Sequence, residues 1–190
     1  GTGSVLTNIN IYDSTVVIMG SNQKLQSINI NAGGTYNISN YKVSFTASNP
    51  ITQNGTFITT NSKVEYNGTA LQTVSTANIV YGGLIINDTA GANMSGNVTV
   101  NDTLSLMQGD LNLNGQIITL SSVGYLKETP GNLLYGSPGY ITITKNTGTP
   151  SAMNVGGLGA VLTASTDLGS TEVRRGHTVQ TGLDGGTSIK

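Results

Sequence analysis

The chain of 190 residues contains no cysteine and no tryptophan, only two phenylalanines and a single histidine. The lack of cysteine excludes a disulfide scaffold and any zinc or iron–sulfur site with cysteine ligands. Only 9% of the residues are charged, the net charge is −1, and no basic patch occurs, so a nucleic-acid partner is not expected. No stretch approaches the roughly 20 apolar residues of a membrane span, so membrane insertion is not expected either.

Threonine and asparagine are abundant instead, with 27 and 21 copies. Valine and isoleucine alternate regularly with polar residues, as in half-buried β-strands. Asparagine and glycine are typical of tight turns, and runs of helix-forming residues are nearly absent. The composition therefore predicts an all-β protein with many turns.

The stretch NVTVNDTLSLMQGDLNLNGQIITL (97–120) indicates how these strands follow one another. Its apolar residues at 98, 100, 104 and 106 share one parity, those at 111 and 113 share the other, and those at 118 and 120 return to the first. Both changes fall at small polar clusters, MQGD (107–110) and NGQ (114–116). Because side chains alternate between the two sides of a strand, each change predicts a corner between short strands that face one interior.

Internal repeats suggest how such strands are stacked. Residues 14–28 align with 62–74, and residues 46–57 align with 89–100, at offsets of 48 and 43 residues. A period in the mid-forties made of short strands is typical of a solenoid. We expect a right-handed parallel β-helix (β-solenoid) with coils of about 22–24 residues, in which Val16 and Val64 point inward two coils apart. β-Sandwich repeats are the alternative fold.

The composition changes near residue 125. Both arginines, the histidine and three of the four prolines lie beyond it, and asparagine becomes sparse. We expect residues 1–125 to form the β-helix repeat region. Residues 126–190 are expected to form final coils, a cap or a junction to a following β-domain, in a chain that is a fragment of a longer protein.

Two segments resemble repeats in large secreted proteins of the Bacteroidetes. They are KVEYNGTALQTV (63–74) and GNVTVNDTLSLMQGDLNLNGQIITL (96–120). Those repeats typically combine V-x-[FY]-x-G with A-Q-T, where this chain has ALQT (70–73), followed by a G-N-V-T-V-N-x-T-L-x-L segment. The C-terminal part, from NVGGLG to TSIK, is similar to the segment that follows them. The resemblance implies a secreted or cell-surface location, transport as cargo of the type IX secretion machinery, and an adhesin-like stalk.

Three acidic residues form a weak candidate metal site. Glu65, Asp88 and Asp110 are spaced by 23 and 22 residues, close to one predicted coil each. Stacked carboxylates repel one another unless they bind a hard cation such as calcium. Solvated carboxylates in turns are the alternative interpretation, and no cofactor is expected.

Neither of two further clusters indicates catalysis. In RRGH (174–177), a lone histidine with only Glu172 nearby is a poor catalytic site, and an arginine paired with a carboxylate at a junction is expected. GGLG (156–159) lacks the lysine of a phosphate-binding loop, so its glycines indicate close backbone approach at a bend.

The resemblance also implies sites of O-glycosylation. In the related proteins the acceptor pattern is Asp, then Ser or Thr, then a small or apolar residue. Three triplets fit it, and their acceptor hydroxyls belong to Ser14, Thr89 and Thr103.

Three functions remain open. The first is a non-catalytic, extracellular structural or adhesin stalk segment that contacts glycans or a cell surface. The second is a fragment of a carbohydrate-active β-helix enzyme, a polysaccharide lyase or a glycosidase, which requires clustered Asp, Arg and Lys beside aromatic residues that stack on sugars. The third is a secretion cargo captured with its transport machinery. The scarcity of charged residues and the lack of tryptophan favour the non-catalytic stalk.

Overall fold

The computed structural model describes residues 6–76 and 79–177, which form 22 β-strands. This part of the chain contains no helix, and hence none that is long and apolar enough to cross a membrane. The strands wind into a β-solenoid of seven coils, each of which begins with a strand of the longest sheet.

Each of the seven coils contains two or three strands. The first three coils comprise β1 (Leu6–Ile11) and β2 (Val16–Ile18), then β3 (Gln23–Ile30) and β4 (Thr35–Asn37), then β5 (Lys42–Phe45), β6 (Ile51–Gln53) and β7 (Thr56–Ile58). The fourth and fifth comprise β8 (Lys63–Tyr66), β9 (Gln72–Val74) and β10 (Val80–Tyr81), then β11 (Gly83–Asn87), β12 (Ala92–Met94) and β13 (Val98–Val100). The sixth and seventh comprise β14 (Thr103–Gln108), β15 (Leu111–Asn112) and β16 (Ile117–Leu120), then β17 (Tyr125–Glu128), β18 (Leu134–Tyr135) and β19 (Tyr140–Asn146). The last strands are β20 (Met153–Asn154), β21 (Val161–Leu162) and β22 (Ser170–Gly176).

The coils stack their strands into three faces. Face 1 has the order β1-β3-β5-β8-β11-β14-β17, with β6 paired to the C-terminal end of β3, and face 2 contains β9, β12, β15 and β18. Face 3 contains β2, β4 and β7, followed by β10, β13, β16 and β19. Pairing between successive coils is parallel throughout the described residues, which confirms the β-solenoid and excludes the β-sandwich alternative.

Most coils are shorter than the sequence predicts. On face 1, the spacing is 19 residues from Ile9 to Ile28 and 20 or 21 in the middle coils, instead of 22–24. The last coil reaches the predicted length, with 22 residues between Leu104 and Leu126. The prediction for Val16 is wrong: it lies in β2 on face 3 and is 64% exposed, whereas Val64 is buried on face 1. The alignment at an offset of 48 residues therefore matched strands of different faces.

The parity changes do mark corners. The first change, at 107–110, falls between β14 and β15, and the second, at 114–116, falls between β15 and β16. All eight apolar residues of the two parity classes are buried: Val98, Val100, Leu104, Leu106, Leu111, Leu113, Ile118 and Leu120. They belong to one continuous apolar core that runs from Ile11 to Leu158, in which each fully buried Leu or Ile contributes about 1.5–3 kcal/mol.

Asparagines support the corners by bonding to the neighbouring coil. Asn61 and Asn114 adopt positive φ angles, which asparagine tolerates well. Asn22 and Asn97 each accept a hydrogen bond from a backbone N–H of the next coil, that of Lys42 at 2.9 Å and that of Ile117 at 2.8 Å. These side chains replace hydrogen bonds that the corner backbone cannot make within a sheet.

The seventh coil is covered by residues 147–177, which we call the closing segment. Its strand β22 pairs antiparallel with β19, and β20 pairs antiparallel with β21. Val155 and Leu158 are buried against the core, and Leu126 donates a backbone hydrogen bond to Gly156 at 2.8 Å. The composition change near residue 125 thus falls at β17, the first strand of the last coil.

Candidate functional site

The outward side of face 1 carries most of the lysines. Register aligns its outward residues into two neighbouring columns. One column contains Lys42, Lys63, Gly83, Thr103 and Tyr125, and the other contains Lys24, Ser44, Glu65, Ile85, Ser105 and Lys127. Four of the chain's six lysines therefore lie on this one surface.

Glu65 is the buried acid of this surface, with 5% of the residue exposed. Its Oε2 pairs with Lys42 Nζ at 2.7 Å and accepts a hydrogen bond from the Ser44 hydroxyl. Its Oε1 accepts a hydrogen bond from the Asn87 amide at 3.0 Å. Burial raises the pKa of Glu65, but the three donors outweigh it and hold the pKa below its usual range. The carboxylate is therefore ionised at neutral pH and does not serve as a general acid.

The same network occupies a second lysine. Lys24 Nζ donates to Asn67 Oδ1 at 2.8 Å, and the Asn67 amide donates to the Asn87 carbonyl at 3.2 Å. Lys24 and Lys42 are thus held by partners on face 1.

A depression runs along the stacked corners that connect face 3 to face 1. It has a volume of about 540 Å³ and takes residues from four successive corners: Thr60, Asn61, Ser62, Lys63, Gly82, Asn101, Asp102, Ser121 and Val123. This volume lies within the roughly 300–1,000 Å³ range of small-molecule sites. Seven of its nine lining residues have polar side chains, although apolar atoms contribute most of the exposed lining surface.

A second cavity of about 240 Å³ lies on face 1 and shares Lys63 with the first. It is lined by Lys63, Gly83, Ile85, Thr103, Ser105 and Lys127. We call the two cavities together the corner groove. The smaller cavity is open at Gly83, the first residue of β11, which contributes no side chain to this part of face 1.

Two lysines face the corner groove without a partner. Among the described residues, neither Lys63 nor Lys127 has a hydrogen bond or an ion pair to its ammonium group, and both side chains are exposed. Ser105 lies beside Lys127 in register, and the Thr103 hydroxyl donates to Asp102 at 3.2 Å. The groove therefore presents two cations, a carboxylate and several hydroxyls, a set suited to a polar ligand with anionic groups.

The three residues of the candidate metal site are not brought together. Glu65 lies within β8, whereas Asp88 and Asp110 lie in corners, where the Asp110 carboxylate accepts a backbone hydrogen bond from Leu133 at 2.7 Å. Asp88 is fully buried; its Oδ1 accepts a hydrogen bond from Ala90, and its Oδ2 has no partner in the described part of the chain. No group of three or more His, Cys, Asp or Glu residues that could hold a metal ion occurs within residues 6–76 and 79–177.

The glycosylation candidates lie at three different corners. Ser14 has a φ angle of 58° and is exposed in the turn before β2, and Thr89 is exposed in the turn before β12. Thr103 begins β14, is partly exposed and lines the corner groove. The acid that precedes Thr89 is the buried Asp88, whereas those that precede the other two are exposed.

Arg175 ties the closing segment to the seventh coil. Its guanidinium makes a bidentate pair with Glu128 of β17, with N–O distances of 2.7 and 2.6 Å. Burial raises the pKa of Glu128, but the pair with Arg175 and the hydrogen bond from the Leu134 N–H lower it by more. The pKa of Glu128 therefore lies below its usual value. The predicted pairing of an arginine with a carboxylate is confirmed, and the pair joins the closing segment to the seventh coil; its place at a junction between domains stays a prediction.

The glycines of GGLG also have the predicted role. Gly156 and Gly157 adopt positive φ angles of 62° and 70°. A Cβ atom on Gly157 would lie 2.2 Å from the carbonyl oxygen of Leu126. These glycines therefore let the closing segment approach β17, as expected for a bend.

Sequence reasoning missed the corner groove. Its residues are about 20 positions apart along the chain, so no local motif contains them. The glycine pair at 82–83 between two apolar strands is the one local signal, because it leaves a corner without side chains.

A scan against models of known protein families and searches of curated proteins and of solved structures found no match to this chain. The fold therefore defines the class of protein, a β-solenoid.

Proposed function

We propose that this chain is a non-catalytic stalk or adhesin segment of a large extracellular surface protein. The observation that carries the proposal is the unbroken stack of seven coils, whose backbone hydrogen bonds and apolar core run along one axis. Each coil contacts mainly its neighbours, so such a stack forms a stiff spacer whose length is set by the number of coils. Its outer surface of Thr, Asn and Ser is suited to weak contacts with glycans.

The sequence patterns support a secreted protein of the Bacteroidetes, carried by type IX secretion. In the pattern V-x-[FY]-x-G, Val64 and Tyr66 point into the core. Gly68 lies at the following corner, where a Cβ atom would come within 2.7 Å of the Asp88 carboxylate. The pattern thus describes one wall and one corner of a coil.

Mechanical unfolding tests the stalk role. Single-molecule force spectroscopy on the purified chain, pulled from its two ends, should show unfolding in one or a few cooperative force peaks, because coils share backbone ladders and core. Gradual extension without a force peak would contradict the proposal.

An activity assay separates the stalk from the enzyme alternative. Incubation with pectin, alginate and neutral glucans should release no unsaturated or reducing products. Product release that a single Asp, Arg or Lys substitution abolishes would establish the enzyme instead.

A further inference from the structure

We propose that the corner groove binds an acidic oligosaccharide, with Lys63 and Lys127 pairing with its carboxylates. This inference rests on the proposed adhesin role and names the class of ligand for it. It goes beyond that role by assigning one site on the solenoid surface.

Charge is the first argument. Lys24 and Lys42 are each held by a partner on face 1, whereas the ammonium groups of Lys63 and Lys127 have none in the described part of the chain. Both of the latter line the same 240 Å³ cavity, and that cavity contains no acidic residue. Two uncompensated cations around one cavity attract an anionic group.

Space is the second argument. The 540 Å³ part of the groove crosses four corners, and strands in adjacent coils are about 4.8 Å apart, so the groove is about 14 Å long. Gly83 lies between Lys63 and Thr103, and a Cβ atom there would lie 3.3 Å from Lys63 Cγ and 3.5 Å from the Thr103 carbonyl oxygen. The lack of a side chain at this position opens the groove for an extended ligand.

The remaining lining distinguishes a sugar from a nucleic acid. Ser105 provides a hydroxyl, whereas the hydroxyls of Ser62 and Ser121 donate to backbone carbonyls within the fold. The Asp102 carboxylate provides an acceptor for sugar hydroxyls. The lining of the two cavities contains no aromatic residue on which bases could stack. The lysines and hydroxyls of the groove can bind the carboxylates and hydroxyl groups of an acidic oligosaccharide.

Binding of a fluorescently labelled oligogalacturonate to the purified chain tests the proposal. Lys63→Gln and Lys127→Gln should each weaken binding roughly 2- to 5-fold, and the double variant roughly tenfold, since each removes one exposed ion pair. Lys145→Gln is the matched control, because Lys145 lies on β19 outside the groove lining. It carries the same change of charge and should leave the affinity unchanged.

Three further arms sharpen the test. Gly83→Val keeps both lysines but fills the groove, and should abolish binding while the circular dichroism spectrum and the melting temperature stay close to those of the parent chain. The methyl-esterified oligomer, which carries no carboxylates, should bind the parent chain no more tightly than the acid form binds the double variant. Added salt should weaken binding of the acid form to the parent chain.

Several outcomes overturn the inference. The first is no binding of the acid oligomer at low salt, and the second is a loss of affinity in Lys145→Gln equal to that in the groove variants. The others are an affinity for the methyl ester, or for a single-stranded oligonucleotide, equal to that for the acid oligomer. If one of them occurs while the chain still unfolds cooperatively under force, the groove assignment fails and the stalk proposal stands.

Discussion

Glu65 shows how a solenoid with few charges uses a buried one. Its carboxylate accepts hydrogen bonds from the ammonium and hydroxyl groups of Lys42 and Ser44 on β5 and from the amide of Asn87 on β11. Such a group stabilises the fold only while it is ionised, which makes its contribution dependent on pH.

We therefore expect Glu65→Gln to lower the free energy of unfolding by about 1–3 kcal/mol at pH 7. Because the folded pKa lies below the unfolded value of about 4.3, the contribution of Glu65 is fully present above that pH and is lost as pH falls through the folded pKa. The difference between the two proteins should thus shrink below about pH 4 in urea titrations. Glu172→Gln, which removes an exposed pair with Arg174, is the control and should change stability by less than about 0.5 kcal/mol. Equal stability of Glu65→Gln and the parent at pH 7 would refute this account.

Tyr66 and Tyr81 join two faces inside the fourth coil. Their hydroxyls lie 2.9 Å apart, and Ser75 donates its N–H to Tyr66 and accepts from Tyr81 through its carbonyl. Burial raises the pKa of Tyr66 to about 12, against partial lowering by the bonds to Tyr81 and Ser75. A hydroxyl with a raised folded pKa supports the fold below about pH 10 and loses that contribution as pH rises toward 12.

Tyr66→Phe should destabilise the protein by about 1–3 kcal/mol at pH 8, because it leaves the Ser75 N–H without its acceptor and removes the hydrogen bond between the Tyr66 and Tyr81 hydroxyls. Between pH 10 and 12 its stability should fall less steeply than that of the parent chain. Tyr12→Phe, at a tyrosine that is 66% exposed, should change neither quantity. Denaturant titrations at pH 8 and pH 11 measure both, and parallel curves for all three proteins would contradict the assignment.

Ser14, Thr89 and Thr103 lead to a prediction about the native protein. If the Bacteroidetes resemblance is correct, protein from its own host should carry O-linked glycans on some of these hydroxyls. Ser14 and Thr103 are the better candidates, because the acid before Thr89 is buried. Intact-mass and peptide mass spectrometry check this, and a mass equal to that of the bare polypeptide would rule it out. A sugar on Thr103 would also occupy the corner groove and block it.

At the level of the single element, the corners are the positions where adjacent coils approach most closely. Gly82 forms the corner between β10 and β11, and a Cβ atom there would lie 2.4 Å from the carbonyl oxygen of Thr59 and 2.6 Å from that of Ser62. Backbone atoms cannot move away as a flexible side chain can, so the previous coil would have to shift.

Gly82→Ala should consequently cost about 1–3 kcal/mol or more through overpacking. Gly20 is the matched control: it also lies at a corner, but a Cβ atom there would meet nothing within 4 Å. Gly20→Ala should leave stability unchanged or raise it slightly. Thermal and urea unfolding compare the two, and equal effects would show that the close approach at Gly82 is unimportant.

Strands and corners were predictable from sequence where a corner changes the parity of inward residues. This holds at 107–110 and 114–116, where an odd number of extra steps shifts the pattern. The corner at 101–102, between β13 and β14, was invisible because Val100 and Leu104 keep the same parity across it. The alternation of apolar and polar residues shows which side of the strand a residue faces. It does not reveal a corner across which the inward positions keep the same parity.

At the scale of the whole molecule, small errors in coil length accumulate. The weak candidate metal site assumed about 22 residues per coil, which places Asp88 above Glu65. The actual neighbour of Glu65 in the next coil is Ile85, at a spacing of 20 residues. The corner groove was beyond prediction for the same reason, because the side chains that line it come together only when every coil length is known.

Hydrogen exchange should follow the position of each coil in the stack. Strands β8, β11 and β14 have parallel partners on both sides, whereas β1 pairs only with β3 among the described strands. We expect the slowest exchange in β8, β11 and β14 and the fastest in β1, with β17 better protected than β1 because the closing segment covers it. Exchange measured by mass spectrometry would contradict this picture if β1 were as protected as β11.

The antiparallel strand β22 has a consequence for how such proteins change in length over generations. A further coil of the same winding would place one strand against β17 and another against β19. In the described part of the chain, β22 already occupies the edge of β19, and Gly156 bonds to β17. An extra coil is therefore accommodated more readily ahead of β17, and we expect a variant with one duplicated coil to fold when the copy is inserted ahead of β17 and the closing segment is kept.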